Sequence, residues 1–449
     1  MARIDTVIPK KFRRETVIQF GSGRFLRGFF DWMLQKAVDA GVYDGSVVVV
    51  QSTGQGASDL LTRQNGQYTH IARGAEGVFV TPIDIISRCV RLGEDYEGFL
   101  KLAENPDFRF IVSNTTESGI RYEPDDRSVQ IPALSFPARL TQLLYRRYQL
   151  GLPGFALLPC ELIERNGETL KRLVLRYAGE WALDEAFLRF VEEENCFCDT
   201  LVDRIVTGFP KGETLGLGYE DELVNCSETY HLWVIEGDPA LARELPFDQI
   251  GLNVRWVRDL TPFRVRKVRI LNGAHTATVG YARLAGVETV GEAMADPRLG
   301  VFLRGVVYDE ILPTLDMPRE ELAAYAEDVF RRFSNPYIRH EWRAISLNSV
   351  AKFRVRLMPS ILEYEKRFGR LPERLVFSLA KLIEMYRTMD VSDEAKVIEA
   401  MRRESVRAVL GDEGLWGEDI ARLTGAVQVF LGPNAAFPAG VPIDSNWER

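Results

Sequence analysis

Thr16-Val17-Ile18-Gln19-Phe20-Gly21-Ser22-Gly23 is the stretch on which the fold turns. A short apolar run suited to a strand enters a glycine turn, and the chain beyond it has helical spacing. Phe25, Leu26, Phe29, Phe30, Met33, Leu34 and Ala37 recur at that spacing over 24–40, before Gly41. Val47-Val48-Val49-Val50 then suits a strand buried on both faces. Strand, glycine turn, helix and strand make a βαβ unit, which aims backbone N–H groups and a helix N-terminus at a pyrophosphate. The glycine pattern is incomplete, because after Gly21 and Gly23 the third position is Leu26 and the next glycine is Gly28. A tight turn with no ligand would satisfy the same residues.

Working outward, strands are expected near 68–71, 78–80, 108–113 and 154–158. Helices are expected over 96–103, 136–150, 168–181 and 184–194. This alternation predicts a doubly wound, Rossmann-like α/β domain over residues 1–240. In such sheets ligands lie beyond the carboxyl ends of strands, which makes Asn114 and Thr115 candidates to border a dinucleotide. Ordinary loop chemistry explains Asn114-Thr115-Thr116-Glu117 equally well. The second strand ends in Gln51-Ser52-Thr53-Gly54, with no acid for ribose hydroxyls, and no Arg or Lys follows before Arg63 to meet a 2′-phosphate. On balance NAD is favoured over NADP. Beyond about residue 240 the texture becomes helical, over 268–285, 300–312, 319–333, 360–368, 375–389 and 393–410. A mainly α-helical second domain over 241–449 is expected.

The chain has 449 residues, 46% hydrophobic and 27% charged, which is ordinary for a globular protein. A net charge of -8 gives no reason to expect nucleic acid or an anionic membrane as partner. No apolar run approaches the ~20 residues that cross a bilayer, and residues 1–14 lack the apolar core of a secretory signal. The five cysteines are odd in number and scattered, so free thiols in the cytoplasm are expected. Cys196-Phe197-Cys198 has no second cysteine pair, and with four histidines in the chain no structural metal is expected.

One segment of the helical half holds an amine, a carboxamide and an imidazole in an apolar run: Lys267-Val268-Arg269-Ile270-Leu271-Asn272-Gly273-Ala274-His275. In a plain α-helix Lys267 and His275 would lie roughly 80° apart, with Asn272 near the same rim. Those groups suit proton transfer to and from an alcohol or carbonyl oxygen. Taken alone, the segment is better explained by a solvated lysine, a capping asparagine and a core histidine.

Three separated stretches together resemble the mannitol dehydrogenase family, the polyol-specific long-chain dehydrogenases. They are Phe20-Gly21-Ser22-Gly23-Arg24-Phe25-Leu26-Arg27-Gly28, Thr200-Leu201-Val202-Asp203-Arg204-Ile205 and the Lys267 segment. The resemblance spans essentially the whole chain. It implies NAD held by Phe20, Gly21, Gly23, Arg24 and Phe25, and a metal-independent hydride transfer with Lys267 as acid/base and Asn272 and His275 polarising the substrate oxygen. Such a lysine is expected to titrate below the ~10.4 of the free residue, helped by burial and by Arg264, Arg266 and Arg269 nearby. Within the family the chain is most similar to the branch acting on hexuronates, implying a small sugar-acid substrate of the tagaturonate/altronate type. Fructuronate/mannonate, a neutral polyol, or a dinucleotide sensor without turnover are the alternatives. Mannitol dehydrogenases and fructuronate reductases tend to carry an S-C-D-N run where this chain has Pro159-Cys160-Glu161-Leu162, and Leu162 cannot replace that active-site asparagine. The segment from Trp342 to Lys352 resembles the region that closes the substrate pocket, which makes Lys352 and Arg343 the implied substrate contacts. Helix-surface cations fit both positions equally.

Overall fold

The computed structural model describes residues 1–51, 56–115, 118–403 and 405–432, with Ala435 and Pro438. The chain divides into two compact units, Met1–Leu260 and Thr261–Arg449. The first is built on a six-stranded sheet whose neighbouring strands all pair in parallel. Across the sheet run Ile86–Arg91, Ser46–Gln51, Glu15–Phe20, Phe110–Ser113, Ala156–Pro159 and Cys196–Phe197. The first strand of the chain therefore lies inside the sheet, between the second strand and Phe110–Ser113. There the order reverses, and there open α/β sheets bind their ligands.

Aromatic and aliphatic side chains cover both faces of this sheet. Phe29, Phe30, Trp233 and Phe247 pack on one, and Phe20, Phe99, Phe136 and Leu140 on the other. Each such phenylalanine stabilises the fold by about 1.5–3 kcal/mol over leaving it in water. The strands Tyr68–Gly74 and Gly77–Ile83 form an antiparallel hairpin in a separate four-stranded sheet with Asn225–Glu228 and Val206–Gly208. A third sheet joins Asp199–Asp203, Leu232–Glu236 and Val254–Val257. Because Val254–Val257 pairs in parallel with Leu232–Glu236, the first unit runs on to Leu260, past the change of texture near 240.

The helix expected over 24–40 is two helices, Arg24–Gly28 and Phe30–Asp39, broken at Phe29, whose φ of -125° and ψ of -83° leave the helical region. The break has a cause. The Arg204 Nη1 donates to the Gly28 carbonyl at 2.8 Å. A Cβ on Gly28 would stand 2.8 Å from the Val206 side chain and from Asn225 Nδ2. The first turn is thus pinned against the second sheet.

The regular elements of the second unit's described residues are all helices. Its first long helix runs unbroken from Thr261 to Leu284 but changes pitch within: α over Thr261–Arg266, π over Lys267–Asn272, α again over Gly273–Leu284. A Cβ on Gly280 would come within 2.9 Å of the backbone at Lys381 and Leu382, so this helix crosses Glu373–Thr388 at close range. The helix Arg319–Phe333 has the bounds its sequence predicts, whereas 393–410 divides into Ala395–Met401 and Val406–Leu410. Ser349–Arg356 is an additional helix. Its apolar face is too thin for a periodicity argument, with only Ser349, Val350 and Phe353 buried. Among the described residues no helix is long and apolar enough to cross a membrane.

Candidate functional site

The glycine turn follows directly from the sheet. Gly21 N donates to Val50 O at 3.1 Å, and Asn114 N donates to Phe20 O at 3.0 Å, so the loops after three adjacent strands are tied together. Gly21 has φ +121°, and a Cβ there would lie 2.9 Å from Asn114 O, so only glycine fits without strain. At Gly23 a Cβ would meet nothing within 4 Å, leaving open space above the N-terminus of Arg24–Gly28. Phe20, expected at the cofactor, has its ring fully buried against Phe99 and Phe136. Its part in the turn is confined to the backbone, because in a pleated strand its side chain points into the core.

A cavity of about 370 Å³ opens beside this turn, lined by Arg24, Phe25, Asn114, Glu161, Leu162 and Arg204 among others. That volume lies in the range of small-molecule and cofactor clefts. Its floor is shaped by Glu161, which the sequence reading did not single out as a site residue. The buried carboxylate accepts from Ser113 Oγ at 3.0 Å and from Thr115 N and Oγ1, both at 2.9 Å. Burial pushes its pKa up, while those hydrogen bonds pull the other way. Thr115 is therefore committed to Glu161, and Asn114 Nδ2 donates to Cys160 O at 2.8 Å. Asn114 lines the cavity as part of a fixed rim, and Thr115 is the residue next to it. Leu162, which stands where the resemblance implies an active-site asparagine, is 63% exposed.

At the end of the second strand, the Gln51 side-chain oxygen accepts from Ser22 Oγ at 3.0 Å and from Ser58 N at 3.1 Å. The position where an acid would hold a ribose thus closes the glycine loop. Ser52 to Gly54, and Thr116 with Glu117, lie outside the described residues. Val202-Asp203-Arg204-Ile205 also has a structural basis. The buried Arg204 donates to Glu228 O through Nε and Nη2 at 3.1 and 2.9 Å, and its guanidinium sits 4.0 Å over the Trp32 ring. Burial lowers its pKa to about 9.

In the second unit, the plain α-helix assumed for Lys267 to His275 is replaced by a π stretch whose first residue is Lys267 and whose last is Asn272. The change decides which side chains share a face. Five residues apart on an α-helix is roughly 140° of rotation, but in a π ladder the i→i+5 bond makes such residues successive on one face. Lys267 and Asn272 thereby share one side of the helix, and His275 follows three residues on, within reach of the same face. Lys267 and Asn272 are half-buried, and His275 is 8% exposed.

The His275 ring packs 4.2 Å from that of Phe333 and 4.8 Å from that of His340, and its Nε2 has no hydrogen-bond partner among the described residues. Burial holds its pKa well below that of a free imidazole, and His340, Arg332, Arg356 and Lys352 add repulsion. Of the arginines expected to bear on Lys267, Arg266 is otherwise engaged. It pairs with Glu321 at 2.9 Å and lies 4.3 Å over the Tyr325 ring. Arg269 is half-buried, with Nη1 on Ser360 Oγ at 3.3 Å. Lys352 is among the cations around His275, and its Nζ donates to Ile345 O at 2.9 Å. Arg343 is exposed, and its charge adds to the burial that lowers the Arg283 pKa. Arg356 was missed, although it stands one helical turn beyond Lys352.

Residues 15–249 match the model of the mannitol dehydrogenase Rossmann domain, and residues 259–431 match that of the mannitol dehydrogenase C-terminal domain. Among curated relatives, the altronate oxidoreductase of Klebsiella pneumoniae (strain 342) is 43% identical over 446 residues, 92% of each chain. That of Bacillus subtilis (strain 168) is 44% identical over 443 residues, covering 93% of this chain and 92% of its own. Two solved structures share the fold at 21% identity. A substrate-free D-sorbitol dehydrogenase has TM-score 0.82 over 96% of this chain and 97% of its own. The mannitol 2-dehydrogenase of Pseudomonas fluorescens, in a ternary complex with NAD and D-mannitol, has TM-score 0.69 over 93% and 90%.

Proposed function

The chain belongs to the mannitol dehydrogenase family, and from that premise we propose that it is an NAD-dependent oxidoreductase interconverting D-tagaturonate and D-altronate. The observation that carries the chemistry is the π stretch that puts Lys267 and Asn272 on one helix face, three residues before a buried, neutral His275. The substrate follows from relatives named altronate oxidoreductase at 42 to 44% identity along most of the chain.

The glycine turn has the space and the backbone for a dinucleotide: Gly21 lets the chain approach Asn114, and Gly23 faces open space. Gly21, Gly23, Arg24, Phe25 and the rim formed by Asn114 and Thr115 would hold NAD, the side chain of Phe20 being in the core. Bound as NADH, it supplies a hydride to the ketone carbon. Lys267 donates a proton to the oxygen as charge develops there, and in the reverse direction takes that proton from the alcohol. Asn272 offers amide N–H groups to the same oxygen. His275, kept neutral by burial, has one ring N–H to donate and does not compete with Lys267 as the acid. Five free thiols fit a cytoplasmic location.

The test is NADH oxidation with D-tagaturonate, D-fructuronate, D-fructose and D-tagatose, repeated with NADPH. Turnover is expected to be fastest with D-tagaturonate and NADH. Preference for D-fructuronate or D-fructose would reject the substrate, and NADH binding without any turnover would indicate a sensor.

A further inference from the structure

A sugar acid differs from a neutral sugar by one carboxylate, and something in the site has to receive it. On the helix Ser349–Arg356, Lys352 and Arg356 stand four residues apart and so share one side. Arg356 Nη1 donates to Thr276 Oγ1 at 3.2 Å, and Thr276 Oγ1 in turn donates to Asn272 O at 2.9 Å. The guanidinium is thereby fixed to the helix of Asn272 and His275, at the residue next to His275. No carboxylate pairs with it among the described residues, and burial lowers its pKa with no acidic group in opposition. Lys352 is lowered first by burial and then by Arg356. Two half-buried cations a turn apart, beside a buried imidazole nitrogen with no partner, form a place short of negative charge.

We propose that Arg356, with Lys352 beside it, receives the carboxylate of the hexuronate, and that this pair, not Arg343, selects sugar acids over neutral sugars. The inference rests on the hexuronate reading above. One N–H of Arg356 is taken by Thr276, which leaves the other donors of its planar fork for two carboxylate oxygens. The bond to Thr276 fixes the fork before substrate arrives, which lowers the cost of ordering it on binding. The arriving charge also relieves the repulsion between the two cations.

The experiment compares kcat/KM for D-tagaturonate and for D-tagatose, the same ketose without the carboxylate, in wild type, Arg356→Gln and Arg356→Lys. Arg356→Gln is expected to lose about 10- to 100-fold on D-tagaturonate, as for a hydrogen bond to a charged group, mostly through KM. The loss on D-tagatose should be smaller, so selectivity collapses, and Arg356→Lys should recover part of it. Retained selectivity in both variants, with NADH affinity and Tm as in wild type, overturns the role of Arg356 and leaves the functional reading standing. A wild type that reduces D-tagatose as well as D-tagaturonate overturns the functional reading itself. Should Arg356→Gln fail to fold, the ratio in Arg356→Lys decides by the same criterion, since lysine keeps the charge but not the fork.

Discussion

The glycine turn of the first unit and the Lys267 helix of the second are both ligand-facing in the proposed function, but they are built by different means. The turn is made of backbone. Gly21 and Asn114 are held by main-chain bonds between adjacent parallel strands, and Glu161 fixes the rim. The Lys267 helix is made of side chains whose relation depends on a change of helical pitch and on cations from a separate helix. A site of the first kind binds any ligand that complements N–H groups and a turn. A site of the second kind distinguishes one proton acceptor, and one charge, from another. Damage to the turn should therefore appear in binding and stability, and damage to the helix in turnover.

The largest effect is expected at Lys267. Lys267→Ala should lower kcat by about 10²- to 10⁴-fold, the usual contribution of a positioned acid/base, with the Kd for NADH unchanged by fluorescence titration. Turnover close to wild type would remove Lys267 from the chemistry and end the contrast on that side. Gly21→Ala should give the opposite pattern. With φ at +121° and Asn114 O 2.9 Å from the new Cβ, the substitution strains the loop. It should lower the unfolding free energy by about 1–3 kcal/mol, measured in urea, and weaken NADH binding. A variant with wild-type stability and NADH affinity would show that the loop relaxes freely, and the turn would lose its claim to be a rigid cradle.

What was legible in the sequence follows the same line. The βαβ unit, the turn and the helix Arg319–Phe333 could be read because local periodicity and glycine chemistry specify them. The strand Ile86–Arg91 was missed because it is an edge strand, half-exposed and studded with Arg88 and Arg91, so it lacks the apolar run of the inner strands. The break at Phe29 was missed because it is imposed by Arg204, far along the chain. In the second unit, residue types were readable but their angular relation was not, since nothing in Val268-Arg269-Ile270-Leu271 announces a π stretch. Arg356 was hidden by a helix whose own sequence is barely amphipathic, and its place is set by Thr276 across a helix–helix contact. Local rules therefore found the glycine turn, whereas the proposed specificity elements needed tertiary structure.

The smallest effect offers the most direct test of whether His275 is a neutral hydrogen-bonding group. In the unfolded chain its imidazole takes up a proton near the ordinary pKa of about 6.5. In the folded chain burial holds its pKa well below that value, so the ring stays neutral as the pH falls. The unfolded state then binds more protons, and stability is lost as pH drops through about 6.5, approaching about 1.4 kcal/mol per pH unit. His275→Gln removes that contribution. Between about pH 7.5 and 5.5 the variant should lose about 1 kcal/mol less than wild type in urea unfolding. His231 in the first unit, whose pKa burial lowers to about 4, carries the same sign. His231→Gln should therefore flatten the same acid limb, although that ring takes no part in the proposed chemistry. Flattening by His231→Gln alone would mean that His275 is already charged at pH 5.5 in the folded protein. A charged ring beside Lys352 and Arg356 would compete as an acid, and the assignment of the proton to Lys267 would have to be given up.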